Sequence, residues 1–284
     1  CGVCVVENAA GGGLLYACKT PLEEGMEIRT ESPAAVKARR EALTRLFGSG
    51  DHNCLALNLP SFAWASFQEE VMQKPWHSAL CPAWGQCELQ DLAIKYGVEP
   101  PVEVFGESGS GERRPVDDSH PMFVRDYNLC ILCGRCIQAC NEIQLNLASP
   151  TPEGWTGESP PPRDAFPLVD YDKCVHCGEC VQACPVGALF EKKAFGLSAG
   201  NETEPIRTTC PYCGVGCQIW LHVKDGRIVR ATGVEGAEPN QGRLCVKGRF
   251  GYDFIYSEER LTKPLIRENG RFRGASWHEA LDRT

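Results

Sequence analysis

Cys130–Cys140 and Cys174–Cys184 share one pattern, Cys-x2-Cys-x2-Cys-x3-Cys, set 44 residues apart (174 less 130), and no other feature of the chain restricts its fold as tightly. Two copies of one small unit follow from it. Three thiols so close in sequence wrap one face of an inorganic cube, while the fourth, displaced onto the following helix, reaches across to a second cube. The spacing therefore groups Cys130, Cys133, Cys136 and Cys184 around one 4Fe-4S cluster, and Cys174, Cys177, Cys180 and Cys140 around another. Zinc, the alternative, uses two Cys-x2-Cys pairs far apart rather than three cysteines in one loop. Pro185 follows the last cysteine of the second copy, whereas Asn141 follows that of the first. His176, inside the second loop, reads as a neighbour of the cluster or a surface residue rather than a ligand.

The remaining cysteines extend the argument. The chain has 18 in 284 residues, and 13 of them stand in Cys-x2-Cys or Cys-x3-Cys runs. A disulfide scaffold of that density is normally short and secreted, so the pattern points to metal centres in a reducing, cytoplasmic compartment. The net charge of -8 comes with no basic stripe, which excludes nucleic acid as a partner. No apolar run is long enough for a membrane helix. The 43% hydrophobic content supports globular packing.

A third motif, Cys210-Pro-Tyr-Cys213-Gly-Val-Gly-Cys217, is followed after 27 residues by Cys245. Four thiolates at this spacing suit one more 4Fe-4S cluster, with Gly214 and Gly216 letting the backbone close round it; spacing alone leaves zinc open. Between the motifs, residues 1–31 read as strands and loops. Ser32, Pro33 and Gly48 bracket a helix whose apolar face is Ala35, Val36, Ala38, Ala42, Leu43, Leu46 and Phe47. Arg39 projects from that face, and the expectation is a stem along the core with its head in water. Further helices are expected around 62–73 and 88–96, loops over 106–114 and 149–162, and a hairpin at Asp225-Gly226. The G-x-x-G-x-G of residues 106–111 lacks the flanking strand and helix of a dinucleotide site.

CPYCGVGC, the hairpin after it, GRLCVKGRFGYDF and LTKPLIR together resemble the opening of the catalytic subunit of molybdenum- or tungsten-dependent formate dehydrogenases. In that family a lysine just after the fourth cysteine relays electrons between cluster and pterin. The resemblance assigns this role to Lys247, which taken alone would read as an exposed basic residue. Cys1-Gly-Val-Cys4, then Cys18 and TPLEEGM, resemble the plant-type 2Fe-2S domain of NAD-linked formate dehydrogenases, some iron hydrogenases and the large iron–sulfur subunit of complex I. That domain has four cysteines, so the resemblance implies a fourth ligand before residue 1. Asp51-His52-Asn53-Cys54 and Cys81-x5-Cys87-Glu-Leu-Gln-Asp-Leu-Ala resemble the His-plus-three-Cys 4Fe-4S site of the same proteins. The family pattern is H-x3-C-x2-C-x5-C, but here one residue separates His52 from Cys54 and 26 separate Cys54 from Cys81. The implied set is His52, Cys54, Cys81 and Cys87, with His77 as the competing histidine.

The fold class these readings imply is α+β, a string of small iron–sulfur modules. They are a partial 2Fe-2S ferredoxin-like domain (1–48), a His/Cys3 4Fe-4S domain (49–100), a bacterial-type 2x4Fe-4S ferredoxin domain (101–200), a molybdopterin-oxidoreductase 4Fe-4S domain (205–262) and the start of a pterin-binding catalytic domain (263–284). Four 4Fe-4S clusters and one 2Fe-2S cluster, at four ligands each, need about 20 protein ligands. The 18 cysteines and one histidine fall one short, which is the upstream cysteine. The resemblance further implies a Mo- or W-bis-pterin guanine dinucleotide bound beyond Thr284, no catalytic residue within these 284, and a flavin- and NAD(P)-binding iron–sulfur partner subunit of the complex-I diaphorase type. Hydrogenase or ferredoxin-like subunits are further candidates for partners. The expected function is the electron-transfer arm of a formate dehydrogenase. A complex-I-like or hydrogenase subunit, and a non-catalytic electron carrier, are the alternatives.

Overall fold

The computed structural model describes residues 1–48, 52, 81, 83, 87–98, 116–149, 169–194 and 203–284, and within them it is a mixture of short helices and small antiparallel sheets. The helix expected over 62–73, the loop over 106–114 and nearly all of 149–162 lie outside the described residues.

The first strands form a three-stranded sheet with β1 (Val5–Asn8) between β2 (Gly13–Tyr16) and β3 (Ile28–Arg29). Val5 sits opposite Tyr16, and Asn8 opposite Gly13 on one side and Ile28 on the other. Helix α1 (Pro33–Phe47) starts and stops where its sequence dictates: Ser32 Oγ accepts the Ala35 N–H at 3.2 Å, Pro33 fills the first turn and Gly48 ends it. Helix α2 (Glu88–Tyr96) ends at Gly97, whose φ of 60° is a left-handed cap that suits glycine. Leu43, Leu46 and Phe47 of α1 meet Leu89, Ala93 and Tyr96 of α2 in one core, which continues into Leu129, Ile131, Val186 and Ala188 of the repeat.

Arg39 departs from expectation. Its head is not in water but is 6% exposed inside this core. It donates from Nε to Val3 O (3.1 Å), from Nη2 to Val5 O (2.8 Å) and Thr30 O (3.0 Å), and from Nη1 to the Tyr96 hydroxyl (2.5 Å). The physical reason is that a buried carbonyl must find a donor, and a guanidinium offers five in a rigid fork.

The two copies of the repeat have matching backbones. Leu132 and His176 both take φ of 55°, and Gly134 and Gly178 take 74° and 71° at the starts of α3 (Arg135–Gln138) and α4 (Glu179–Ala183). Strands β4 (Phe123–Arg125) and β5 (Leu189–Glu191) pair antiparallel and tie the two ends of the unit together. The copies diverge where their sequences do. Pro185 cannot continue a helix and pushes the residue before it out of the helical region, so Cys184 is extended (φ -71°, ψ 118°). With Asn141 in its place, the first copy runs on through a π-helical turn, Ala139–Ile143, and Asn141 Nδ2 donates to Ser149 O at 2.8 Å.

The third motif is set in a meander of β6 (Glu204–Thr209), β7 (Gln218–Lys224) and β8 (Arg227–Gly233), followed by α5 (Val246–Phe250). Asp225 and Gly226 turn the β7–β8 hairpin with φ of 49° and 74°, the two left-handed positions of a type I′ turn. A second hairpin, β9 (Leu265–Glu268) and β10 (Arg271–Gly274), turns at Asn269-Gly270. Helix α6 (Trp277–Asp282) follows, with Ser276 Oγ accepting the Glu279 N–H at 3.1 Å.

Candidate metal centres

Cys130, Cys133, Cys136 and Cys184 line one cavity, together with Arg125, Asp126, Tyr127 and Pro185. These are the four the spacing groups around one cluster. The loop Cys130–Cys133 folds over so that the Leu132 N–H points at Cys130 Sγ (3.4 Å), and the second loop repeats this with His176 N–H and Cys174 Sγ (3.4 Å). Such donors stabilise sulfur that carries negative charge. Burial first, and then neighbouring thiols, push Cys136 and Cys184 up to about 12; Cys130 also reaches about 12, with burial leading. Cations of iron would reverse that balance, since a coordinating thiol gives up its proton. The donor set, the shared cavity and the N–H···S contacts all fit a cluster.

The second set behaves alike. Burial raises Cys174, Cys177 and Cys180, with further upward contributions from Cys140 on Cys174, from Cys174 on Cys177, and from Cys136, Cys177 and Cys174 on Cys180. Arg125 lies between the two sets. It is 5% exposed, lines the first cavity and donates to the Tyr127 hydroxyl (3.2 Å). Burial works against its charge, and Tyr127, followed by the thiols Cys180 and Cys136, outweighs that and keeps it protonated. His176 stands beside Cys174, as a neighbour of the cluster would. Its Nδ1 is 2.8 Å from Nε2 of His120, a residue with no motif around it to single it out. His120 Nδ1 accepts the Met122 N–H (3.2 Å), its ring stacks on Phe123 (3.6 Å between centroids), and burial ahead of the charges of His176 and Lys192 lowers it to about 4.

The third motif draws its four cysteines together as well. Cys217 is pushed up by burial and then by Cys210, Cys213 and Cys245. The Cys210 N–H bonds to Cys217 O at 2.8 Å, and Gly216, at φ 71°, makes the turn between. Cys210 is buried, Cys213 and Cys245 are exposed, and Cys245 caps α5 with Lys247 exposed in its first turn.

Towards the other end, Cys87 begins α2 with its thiol directed at Pro185 O (3.5 Å), and Cys81 lies against Gly187, where a Cβ would come within 2.5 Å of its sulfur. Burial pushes both thiols up, Cys87 to about 12. Both therefore sit against the segment just after Cys184. His52 is 4% exposed with its ring 6.0 Å from Phe47, while Cys54 and His77 lie outside the described residues. Near the start of the chain, the Cys4 and Cys18 sulfurs are 3.2 Å apart, Ala17 N–H bonds to Cys4 O, and Cys1 is exposed three positions before Cys4. Among the described residues no helix is long and apolar enough to cross a membrane.

Comparison with known proteins finds family matches for two segments of the chain. Residues 129–188 match the 4Fe-4S dicluster domain, and residues 203–257 the molybdopterin oxidoreductase Fe4S4 domain. Over 99% of its length the chain is 31% identical to a provisionally named formate dehydrogenase of Bacillus subtilis, covering 30% of that protein. It is 30% identical to an NADH-quinone oxidoreductase subunit of Rhizobium meliloti, covering 30%, and 30% identical to the alpha subunit of the NADPH-Fe(3+) oxidoreductase of Geobacter sulfurreducens, covering 29%. The chain thus spans under a third of the length of the curated relatives it matches. It carries an iron–sulfur region, a 4Fe-4S dicluster domain followed by a molybdopterin oxidoreductase Fe4S4 domain, and is similar there to proteins named as a formate dehydrogenase and an NADH-quinone oxidoreductase subunit.

Proposed function

We propose that this region is the electron-transfer arm of a formate dehydrogenase, carrying electrons between a Mo- or W-pterin site outside these residues and a flavin-bearing, NAD(P)-reducing partner subunit in the cytoplasm. The five-module division given above belongs to this reading. Cys210, Cys213, Cys217 and Cys245 hold the 4Fe-4S cluster next to the pterin, with Lys247 between them. Cys130, Cys133, Cys136 and Cys184, and Cys174, Cys177, Cys180 and Cys140, hold the dicluster pair. His52, Cys54, Cys81 and Cys87 hold a fourth 4Fe-4S cluster, and Cys1, Cys4 and Cys18 with one further ligand hold a 2Fe-2S cluster. When bound, these groups supply one-electron redox chemistry. The protein's own part is to hold the thiols and aim N–H groups at sulfur.

The observation that carries the reading is the convergence of Cys130, Cys133, Cys136 and Cys184 on one cavity although up to 54 positions separate them (184 less 130). Iron and sulfide analysis of an anaerobic preparation, with EPR, tests it. About 18 irons per chain are expected, and fewer than about 16 would refute the cluster count. A complex-I-like role is the second reading, favoured by the similarity to the Rhizobium NADH-quinone oxidoreductase subunit being almost equal to that with the formate dehydrogenase. Reduction of the EPR-visible centres by formate, and not by NADH alone, separates the two.

A further inference from the structure

Arg249 is fully buried at 0% exposure, on the helix that Cys245 starts, yet most of its bonds leave that module. Its Nε donates to Cys177 O (2.7 Å), Nη1 to Gln182 Oε1 (2.7 Å) and Nη2 to Glu179 Oε2 (3.1 Å). Its own main-chain N–H bonds to Cys245 O (3.1 Å). Glu179, also 0% exposed, takes a second cation on its other oxygen, Arg243 at 2.6 Å, and Gln182 Nε2 donates to Gly242 O (3.0 Å). Next to Cys177, Gly178 leaves the space this side chain occupies, since a Cβ there would overlap Arg249 Cδ and lie 2.7 Å from Phe250 Cζ.

A buried charge network of this kind is weak evidence for stability as such, because two ions are taken out of water to make it. It is better at fixing one geometry. The fork of Arg249 satisfies a carbonyl, an amide and a carboxylate at once, and all three acceptors belong to the loop and helix that follow Cys174. We infer that Arg249 is the positioning residue that couples the Cys210–Cys245 centre to the Cys174–Cys180 centre. It docks α5 on α4 and closes a continuous bonded path: Cys245 O, Arg249 N–H, the Arg249 side chain, Nε–H, Cys177 O. The inference rests on the cluster assignments proposed above. Arg249 itself undergoes no redox or protonation change; the one electron given up on the Cys245 side is the one taken up on the Cys177 side, and no bond or proton is exchanged.

The test uses the full-length protein in its native complex, purified anaerobically, as wild type, Arg249→Gln, Arg243→Gln, and the double variant Glu179→Gln/Arg249→Gln. The double variant removes the carboxylate that the single change would leave buried without its arginine. Iron content and the EPR signal of each centre are measured first. Freeze-quench EPR then follows equilibration between the two centres after rapid reduction, and the line splitting when both are reduced reports their magnetic coupling. The expectation is full iron in at least one Arg249 variant, with loss of the fast equilibration phase and of the splitting, while Arg243→Gln keeps both. Full iron with unchanged rate and splitting in the Arg249 variants overturns the inference alone. Absence of either centre from the wild type overturns the cluster assignments and the inference with them.

Discussion

Gly178→Ala is the sharpest structural perturbation on offer, because two separate costs fall on one methyl group. The residue sits at φ 71°, where an L side chain costs about 1–2 kcal/mol. The methyl also overlaps Arg249 Cδ and arrives 2.7 Å from Phe250 Cζ. Neither neighbour has room to withdraw, since Arg249 is fully buried and bonded at all three of its nitrogens and Phe250 is 7% exposed. Forcing extra volume into such a site costs about 1–3 kcal/mol. Gly226→Ala supplies the control: its φ is 74°, but nothing lies within 4 Å of its added Cβ, so it bears the backbone cost alone. The expected totals are roughly 2–5 kcal/mol for Gly178→Ala against roughly 1–2 for Gly226→Ala. Each kcal/mol corresponds to about 2–4 °C in the midpoint of a chain this long. Thermal unfolding followed by far-ultraviolet circular dichroism, on anaerobic samples matched for iron, measures the difference. Equal midpoints for the two variants would refute the packing argument, because the backbone cost is common to both.

Arg39→Ala strips donors from Val3 O, Val5 O, Thr30 O and the Tyr96 hydroxyl, at about 1–3 kcal/mol for each buried group left unpaired. Because Val3 and Val5 flank Cys4, the EPR signal of the 2Fe-2S cluster proposed at Cys1, Cys4 and Cys18 should be lost first, and its survival alongside loss of the dicluster signals would count against this. Burial holds the Glu191 carboxyl above the ordinary range despite the attraction of Arg230 and Arg249, so the folded chain keeps a proton that the unfolded chain releases. Stability is therefore present below the ordinary carboxylate pKa and declines as pH rises toward the folded value. Glu191→Gln should gain on wild type across that interval, and a variant that instead loses ground with rising pH contradicts the sign. His52→Ala should abolish a nitrogen-ligated cluster signal that His77→Ala leaves in place; the reverse result would transfer the ligand. Anaerobic chelation of iron should raise hydrogen exchange at residues 210–217 and 245–250 well before it does so in α1 and α2, whose shared core holds twelve buried residues against three around Cys210.

What the sequence disclosed and what it concealed divide along a physical line. Features that depend on near neighbours are legible: the Ser32 and Pro33 start of α1, Gly97 after α2, the Asp225-Gly226 turn, and two cysteine loops whose equal spacing becomes equal dihedral angles. The Asn269-Gly270 turn, which no expectation included, belongs to the same class, because Asn-Gly between two strands is the strongest short hairpin signal. The partners of Arg39, Arg249 and His120 are beyond reach. Arg249 meets residues about seventy positions away, and His120 meets His176 across 56. Such pairs have no period and no local propensity to announce them. For Arg39 the apolar helix face is plain in the sequence, but a lone cation on it says nothing about which carbonyls it will find.

Among the described residues, the buried arginines Arg39, Arg125 and Arg249 each stand where small elements meet. The core around the third motif consists of Cys210, Ile219 and Leu244, and that around β4 and β5 of Phe123, Val181, Leu189 and Phe250, with cysteines packed against each. Cores so small cannot supply the apolar area that holds a larger domain together. The space at these two centres is given over to thiols, so the contact of α5 with α4 needs something besides bulk apolar packing, whereas α1, α2 and the repeat also share a core of twelve buried residues. An arginine suits this role, because one fork reaches main-chain acceptors on several elements and its geometry allows little sliding. Arg39 ties β1 and the start of α1 to Tyr96 of α2, Arg125 stands between the two dicluster thiol sets, and Arg249 ties α5 to the loop of Cys177. Apolar faces would let neighbouring modules settle in a range of registers, whereas directional bonds select one. For a chain whose metal centres must stay at fixed separations, the selection of one register matters more than the modest stability such bonds add.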